Sequence, residues 1–303
     1  EEALRMLNVY RDCFYETMAL PILTGVKSPS ERFAGAVETY TCEGLMGDGR
    51  ALQAATSHDL GQNFARAFDI TFLDERQERV YPYQTSWGLS TRTIGGLILV
   101  HGDDRGLKIP PKLAPVEAVI VPIWRGKNKA EVRKEAEALY SELKGSGFRV
   151  EVDLDEEHSP GWKFNEHELR GVPVRVELGP KDIEKGQTVL VRRDTGEKKF
   201  VGRARLPERL RALLGEIQEN MLHQATEFRD TNTRRAETYE EFKEIIEEKR
   251  GFVLAPWDGT EETEARIKDE TKATIRLLPF EREEGKDLVS GRPGRTTVFA
   301  RSY

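Results

Sequence analysis

Residues 116–123 read VEAVIVPI, an apolar run broken only by Glu117. A half-exposed strand alternates apolar and polar side chains, so such a run belongs to a strand covered on both faces. The following residues supply the covering layers. Residues 128–145 place Ala136, Leu139, Tyr140 and Leu143 on one helical stripe. Residues 149–154 read as a short strand, 162–169 as a helix and 172–178 as another strand. Two more strands, 188–192 and 198–201, precede a helix from Pro207 that turns Leu210, Leu213, Leu214 and Ile217 inward. Strands alternating with helices predict an α/β domain with a largely parallel sheet.

The flanking stretches follow other rules. Up to about residue 19, Leu7, Tyr10, Phe14 and Met18 recur at helical spacing. Gly- and Thr-rich strands follow near 37–41 and 51–56, and residues 87–93 read as a strand. Gly95 and Gly96 open an apolar segment to residue 100 that reads as a buried helix. Pro110 and Pro111 close this part, since adjacent prolines stop regular structure. After about residue 231 comes a helix carrying Tyr239, Phe242, Ile245 and Ile246, then short strands and turns. The expected organisation is three domains, at 1–114, 115–230 and 231–303.

The totals exclude several classes. No apolar run approaches the roughly 18 residues of a membrane span. Cys13 and Cys42 do not form a CxxC pair, so a reducing, cytoplasmic setting is expected. The first residues show no signal-peptide pattern. The chain opens on what reads as the middle of a helix, which suggests a piece of a longer protein. A net charge of −6 argues against a generic polyanion binder. Between residues 192 and 211, however, eight Lys/Arg face three acids, so this stretch is either a solvated surface or a face for an RNA backbone.

No Walker loop, GxGxxG, HExxH or GxSxG occurs, and no two of the five histidines stand at metal-ligand spacing. Two less portable segments carry the chemistry. Residues 53–64, QAATSHDLGQNF, set amide, hydroxyl and imidazole groups near a strand end, where they suit a nucleotide and a small polar substrate. Residues 87–96, WGLSTRTIGG, offer an arginine before a glycine-rich helix start, able to stack on adenine or clamp phosphate. By chemistry alone, Thr56 and His58 are ordinary hydrogen-bonded core residues, and Arg92 would pair with a carboxylate.

Together with 159–182 (SPGWKFNEHELRGVPVRVELGPKD) and the terminal FARSY, these blocks resemble prolyl-tRNA synthetases of the archaeal and eukaryotic type, which are class II synthetases. The resemblance runs in family order over essentially the whole chain. It implies part of an antiparallel class II catalytic domain, an α/β anticodon-binding domain and a small α+β C-terminal domain. It also implies site residues. Arg92 would pack on the ATP adenine and phosphate, and Gln53 and Thr56 would contact ATP and the terminal adenosine of tRNA. Phe33, His58 and Ser90 would line the pocket for proline and the tRNA 3′ end. Arg92 and His58 are the expected catalytic residues. Glu168, Arg175, Lys181 and Asp182 would read the anticodon, where guanines present acceptors to cations and donors to carboxylates. Implied partners are ATP, Mg²⁺, L-proline and tRNA(Pro), and the intact enzyme would be a homodimer.

The chain departs from the family pattern in two places. The family's first two signature motifs lie upstream of residue 1, so the chain alone is expected to be inactive. Many relatives hold a structural zinc with four cysteines, where this chain has Asp258, Thr263, Asp287 and Ser290. No zinc is therefore expected. Tyr303, in the family, sends its carboxylate toward the active site. The alternative reading is a non-catalytic tRNA-binding paralogue, which would lack Gln53, Thr56, His58 or Arg92. A class II enzyme for threonine or histidine would not carry the STRTIG and GWKF blocks together.

Overall fold

The computed structural model describes residues 1–124 and 126–303. They divide into two compact units, one of residues 1–16, 20–100 and 225–303, the other of 17–19 and 101–224.

In the first unit, helix α1 (Glu2–Glu16) buries Ala3, Leu7 and Phe14; of the predicted stripe, Tyr10 is only half-buried and Met18 lies beyond the helix end. The helix lies on an antiparallel sheet of β1 (Ile22–Val26), β2 (Glu38–Leu45), β3 (Ala51–Gly61) and, beyond the short helix α2 (Asn63–Ala67) and the ribbon β4 (Phe72–Leu73) and β5 (Arg79–Val80), β6 (Gln84–Leu89). Ser57 Oγ fixes α1 to β3 by donating to the Ala3 carbonyl at 2.7 Å. Strand β6 ends at Leu89, earlier than the strand read over 87–93, and Arg92 is the first residue of helix α3 (Arg92–His101). That helix is not buried all round. Thr93 and Leu97 face inward, whereas Ile94, Ile98 and Leu99 are exposed.

The second unit is built on β7 (Ala118–Pro122), buried at every residue. Helix α4 (Lys129–Gly145) and β8 (Val150–Val152) follow, then α5 (Pro160–Leu169), β9 (Val174–Leu178), α6 (Pro180–Glu184), β10 (Gln187–Arg192) and β11 (Lys198–Gly202). Ala118 and Ile120 join one core with Ala136, Leu139 and Leu143 of α4 and with Leu206, Leu210 and Leu213 of the long helix α7 (Leu206–Thr231). Val119 and Val121 face the other way, into a smaller cluster with Phe164. Two covered faces account for the unbroken apolar run. The sheet, in order β11-β10-β9-β7-β8, is mixed rather than largely parallel. β7 runs parallel to β8 and β9, but β10 is antiparallel to both its neighbours. The six-residue β10 and five-residue β11 are joined by a short turn, so no helix crosses between them to make them parallel.

The first unit resumes with β12 (Thr233–Arg235), α8 (Tyr239–Glu244), β13 (Phe252–Trp257), α9 (Glu261–Thr271), β14 (Thr274–Leu277), β15 (Glu284–Lys286) and β16 (Pro293–Ala300). Alternation along the strands separates two cores. Val253, Ala255, Trp257 and Phe299 pack under Tyr239, Phe242 and Ile267. Phe252, Val298 and Ala300 face Leu45 and Ala51 of the first sheet. At this second core Val26 and Leu278 exchange backbone hydrogen bonds of 2.9 and 2.7 Å. Gly25 is required there, since a Cβ would come within 2.5 Å of the Leu278 carbonyl oxygen.

A buried ionic triad crosses the same seam. Glu43 takes Lys27 Nζ at 3.2 Å on one carboxylate oxygen, and Arg276 Nε and Nη2 at 3.0 and 2.8 Å on the other. Lys27 also donates to the Arg276 carbonyl at 3.0 Å. All three side chains are under a tenth exposed. Replacing Glu43 by Gln strands two buried cations, and we expect a loss of about 3–5 kcal/mol in urea unfolding. A loss below about 1 kcal/mol, the range of a surface pair, would contradict this role.

Candidate functional site

Gln53, Thr56 and His58 are half-buried along β3, Gln53 and Thr56 between buried neighbours and His58 between buried Ser57 and half-buried Asp59. Strict alternation would put residues 53 and 56 on opposite faces. Against β2, however, Cys42 pairs with Ala55 and Glu43 with Gln53, leaving Ala54 as an extra residue. This bulge turns Gln53 to the face that carries Thr56 and His58. On the other side β6 pairs Gly88 with Thr56 and Ser86 with His58. A cleft of about 370 Å³ opens there, lined by Gln53, Thr56, His58, Ser86, Trp87, Gly88, Ser90 and Arg92.

His58 sits at the edge of the cleft. Its Nδ1 is 3.0 Å from Thr39 Oγ1, which also accepts the Phe33 amide at 3.1 Å. The Phe33 ring lies 4.8 Å from the imidazole and stacks in turn on Phe64. Burial pushes the His58 pKa below its ordinary value, so the ring is neutral near pH 7. Arg92 is exposed at the start of α3, its amide donating to Ser90 Oγ at 3.3 Å. Its guanidinium forms no ion pair among the described residues. The ordinary fate of an arginine in a β-rich domain therefore does not apply to it.

Sequence reasoning missed Trp87 and Ser86 as lining residues and Thr39 as the partner of His58. Their signal lay in the register of the sheet rather than in any local motif. Tyr303 docks on the β2–β3 hairpin. Its amide donates to the Ala51 carbonyl at 3.2 Å and its hydroxyl to Asp48 at 2.6 Å.

In the second unit Glu168 and Arg175 come together, and Lys181 and Asp182 stand apart from them past the far end of β9. Arg175 donates to Glu168 at 3.1 Å and to buried Glu177 at 3.1 Å, with Phe164 against its guanidinium at 4.1 Å. Asp182 caps its own helix, accepting the Gly179 amide at 3.0 Å, and Lys181 is exposed. Glu177 and Phe164 were not singled out beforehand. Both sit on regular elements without a distinguishing neighbour in the chain. Much of the positive charge of 192–211 is internally neutralised, with Arg192 on Asp194, Arg193 on Asp103, Lys198 on Glu177 and Arg203 on Glu142.

The four positions at which the resemblance would place zinc cysteines also meet. Thr263 Oγ1 donates to Asp258 at 2.7 Å, and Ser290 Oγ reaches Asp258 at 2.9 Å and Asp287 at 3.0 Å. The Asp258 amide donates to Asp287 at 3.1 Å, and Arg292 pairs with Asp258 at 2.9 Å. Burial alone would raise the Asp258 carboxyl, but hydrogen bonds from Thr263, from the Thr260 amide and hydroxyl and from Ser290 outweigh it and hold it low, at about 2. Two carboxylates already saturated by hydroxyls, amides and a guanidinium do not fit a thiolate-binding zinc site. Elemental analysis should find substoichiometric zinc, and chelators should leave the melting temperature unchanged. One zinc per chain would refute this.

Comparison with known proteins agrees with this layout. The family model described as "Anticodon binding domain" matches residues 117–213, and "Prolyl-tRNA synthetase, C-terminal" matches 239–303. Over the whole chain the sequence is 84% identical to the proline–tRNA ligase of Rubrobacter xylanophilus, covering 64% of that protein. It is 54% identical to that of Natranaerobius thermophilus and 51% identical to that of Chlorobium luteolum, covering 63% and 65% of them. The chain thus spans a little under two thirds of these relatives. An anticodon-binding domain followed by a synthetase C-terminal domain defines the class, an aminoacyl-tRNA synthetase of class II. The chain belongs to the prolyl-tRNA synthetase family.

Proposed function

We propose that the protein activates L-proline with ATP and transfers it to tRNA(Pro), with residues 1–114 forming part of the catalytic domain, 115–230 the anticodon-binding domain and 231–303 the C-terminal domain. The observation that carries the reading is the convergence of Gln53, Thr56, His58, Ser90 and Arg92 on one cleft. The proline carboxylate attacks the α-phosphorus of ATP and pyrophosphate leaves. A hydroxyl of the terminal tRNA ribose then attacks the acyl carbon and AMP departs.

Neither step needs a protein nucleophile. Both need reactants held in line and charge balanced in the transition state. Arg92, which has no ion pair among the described residues, packs on the adenine and meets the phosphate. Gln53 and Thr56 hold the nucleotide and the terminal adenosine. His58, neutral beside Phe33, gives the proline pocket a polar edge without a competing cation, and Ser90 lines the tRNA 3′ end. Mg²⁺, carried mainly by the phosphates, supplies further charge neutralisation when bound. Glu168, Arg175, Lys181 and Asp182 are assigned to anticodon reading. Because Arg175 is already paired with Glu168, these two act as one unit whose hydrogen bonds are exchanged on binding. The intact enzyme is proposed to be a homodimer acting in the cytoplasm. No helix among the described residues is long and apolar enough to cross a membrane.

The chain alone is proposed to lack activity. Trp87, Leu89, Ile94, Ile98 and Leu99 leave apolar surface uncovered around the cleft, as expected where a further part of the catalytic domain packs. The test is proline-dependent ATP–pyrophosphate exchange by these 303 residues and by a form extended to the length of the relatives. Exchange should occur only in the extended form and fall by about 100-fold or more with Arg92→Ala. Absence from both, with tRNA binding intact, would favour the non-catalytic paralogue.

A further inference from the structure

A second cleft, of about 380 Å³, lies in the C-terminal part of the first unit, lined by Trp257, Asp258, Gly259, Arg282, Glu284, Gly285, Pro293, Gly294 and Arg295. Its walls are close-packed β16 and its neighbours. A Cβ on Gly294 would fall 2.7 Å from the Trp257 carbonyl oxygen, and one on Gly285 would fall 2.6 Å from the Pro256 ring. The central group is Arg282. One edge of its guanidinium is fixed on the strand, Nε donating to the Thr296 carbonyl at 2.9 Å and Nη2 to the Arg295 carbonyl at 3.1 Å and to Thr297 Oγ1 at 2.8 Å. Every acceptor is neutral. Its Nη1 edge has no partner among the described residues and reaches solvent.

No carboxylate is paired with it among the described residues, although Glu281, Glu283 and Glu284 stand nearby in the chain. Arg295 lines the same cleft, and its one ionic partner among the described residues is Glu284, 3.9 Å away on an open rim. Asp258 lines the cleft by position, but its carboxylate is 2% exposed and occupied by Thr263, Ser290 and Arg292. A half-buried guanidinium with a fixed orientation, a free donor edge and no counter-ion matches the fork geometry that recognises oxyanions.

We propose that this cleft binds a small phosphate-type oxyanion, held by the Nη1 edge of Arg282 and the guanidinium of Arg295. Exposed Glu281, Glu283 and Glu284 border Arg282 in the chain and would repel a polyanionic backbone, so a free anion rather than an RNA phosphate is the ligand. The site is separate from the cleft of Arg92 and does not depend on the synthetase reading.

The test is calorimetric titration of the chain with inorganic phosphate and with pyrophosphate. Saturable binding is expected, weakened about tenfold or more by Arg295→Gln, which alters only an exposed side chain, and by Arg282→Met. Glu284→Gln should tighten it by removing the one exposed acid that lines the cleft. Arg92→Ala should leave it unchanged, and an excess of an RNA hairpin should not displace pyrophosphate. Lack of saturable binding, binding insensitive to the Arg295 and Glu284 substitutions, or binding lost with Arg92→Ala would overturn the proposal. Displacement by the hairpin would overturn the assignment to a free anion.

Discussion

Glu43, enclosed between Lys27 and Arg276, is the contact on which the first unit depends. Two cations and one carboxylate are held out of water, a state tolerable only while each has its partners. The triad joins the residues following β1, strand β2 and strand β14, and so ties the N-terminal sheet to the C-terminal one. Thr41 adds its hydroxyl to the same carboxylate at 3.0 Å. Two residues earlier on β2, Thr39 holds both the Phe33 amide and His58. The geometry of the candidate proline pocket thus hangs on a strand whose position is set by buried charge, within the compact unit that residues 1–16, 20–100 and 225–303 form together.

Some of this was legible from the chain. The run at 116–123 announced a strand covered twice, because burial on both faces removes the alternation that water imposes. Helix α4 and helix α1 showed their stripes for the same reason in reverse. Other features depend on partners that a local pattern cannot name. The bulge at Ala54 is defined only against β2, and it alone puts Gln53 beside Thr56. Arg92 read as a strand residue in the run 87–93, yet β6 pairs with β3 only as far as Leu89 opposite Ala55, and Arg92 opens α3. The apolar content of α3 suggested full burial, but only one side of it meets the sheet. Antiparallel β10 was missed since its hydrophobicity resembles that of a parallel strand. The family resemblance supplied the residues of the cleft, and the fold supplied their proximity.

The C-terminal part shows what hydrogen bonds can do where a structural metal would use stronger bonds. Thiolates around zinc cross-link loops through strong metal bonds. Here Asp258, Thr263, Asp287 and Ser290 tie the start of α9 to the turns at 258 and 287–290 by charge-assisted hydrogen bonds, each weaker but numerous, with Arg292 balancing the charge. Trp257 adds its indole N–H to Thr263 at 3.0 Å, anchoring the cluster in the core under α8 and α9. The arrangement commits Asp258 inward and leaves the neighbouring cleft to its arginines.

The central claim is that the cleft between β3, β6 and the start of α3 holds the activated amino acid. Hydrogen–deuterium exchange of the form extended to the length of the relatives, with and without a non-hydrolysable prolyl-adenylate analogue, tests it most directly. Protection should concentrate in peptides spanning residues 51–61 and 84–94, and it should be lost with Arg92→Ala. Protection confined to other segments, or protection of these peptides that survives Arg92→Ala, would contradict the account.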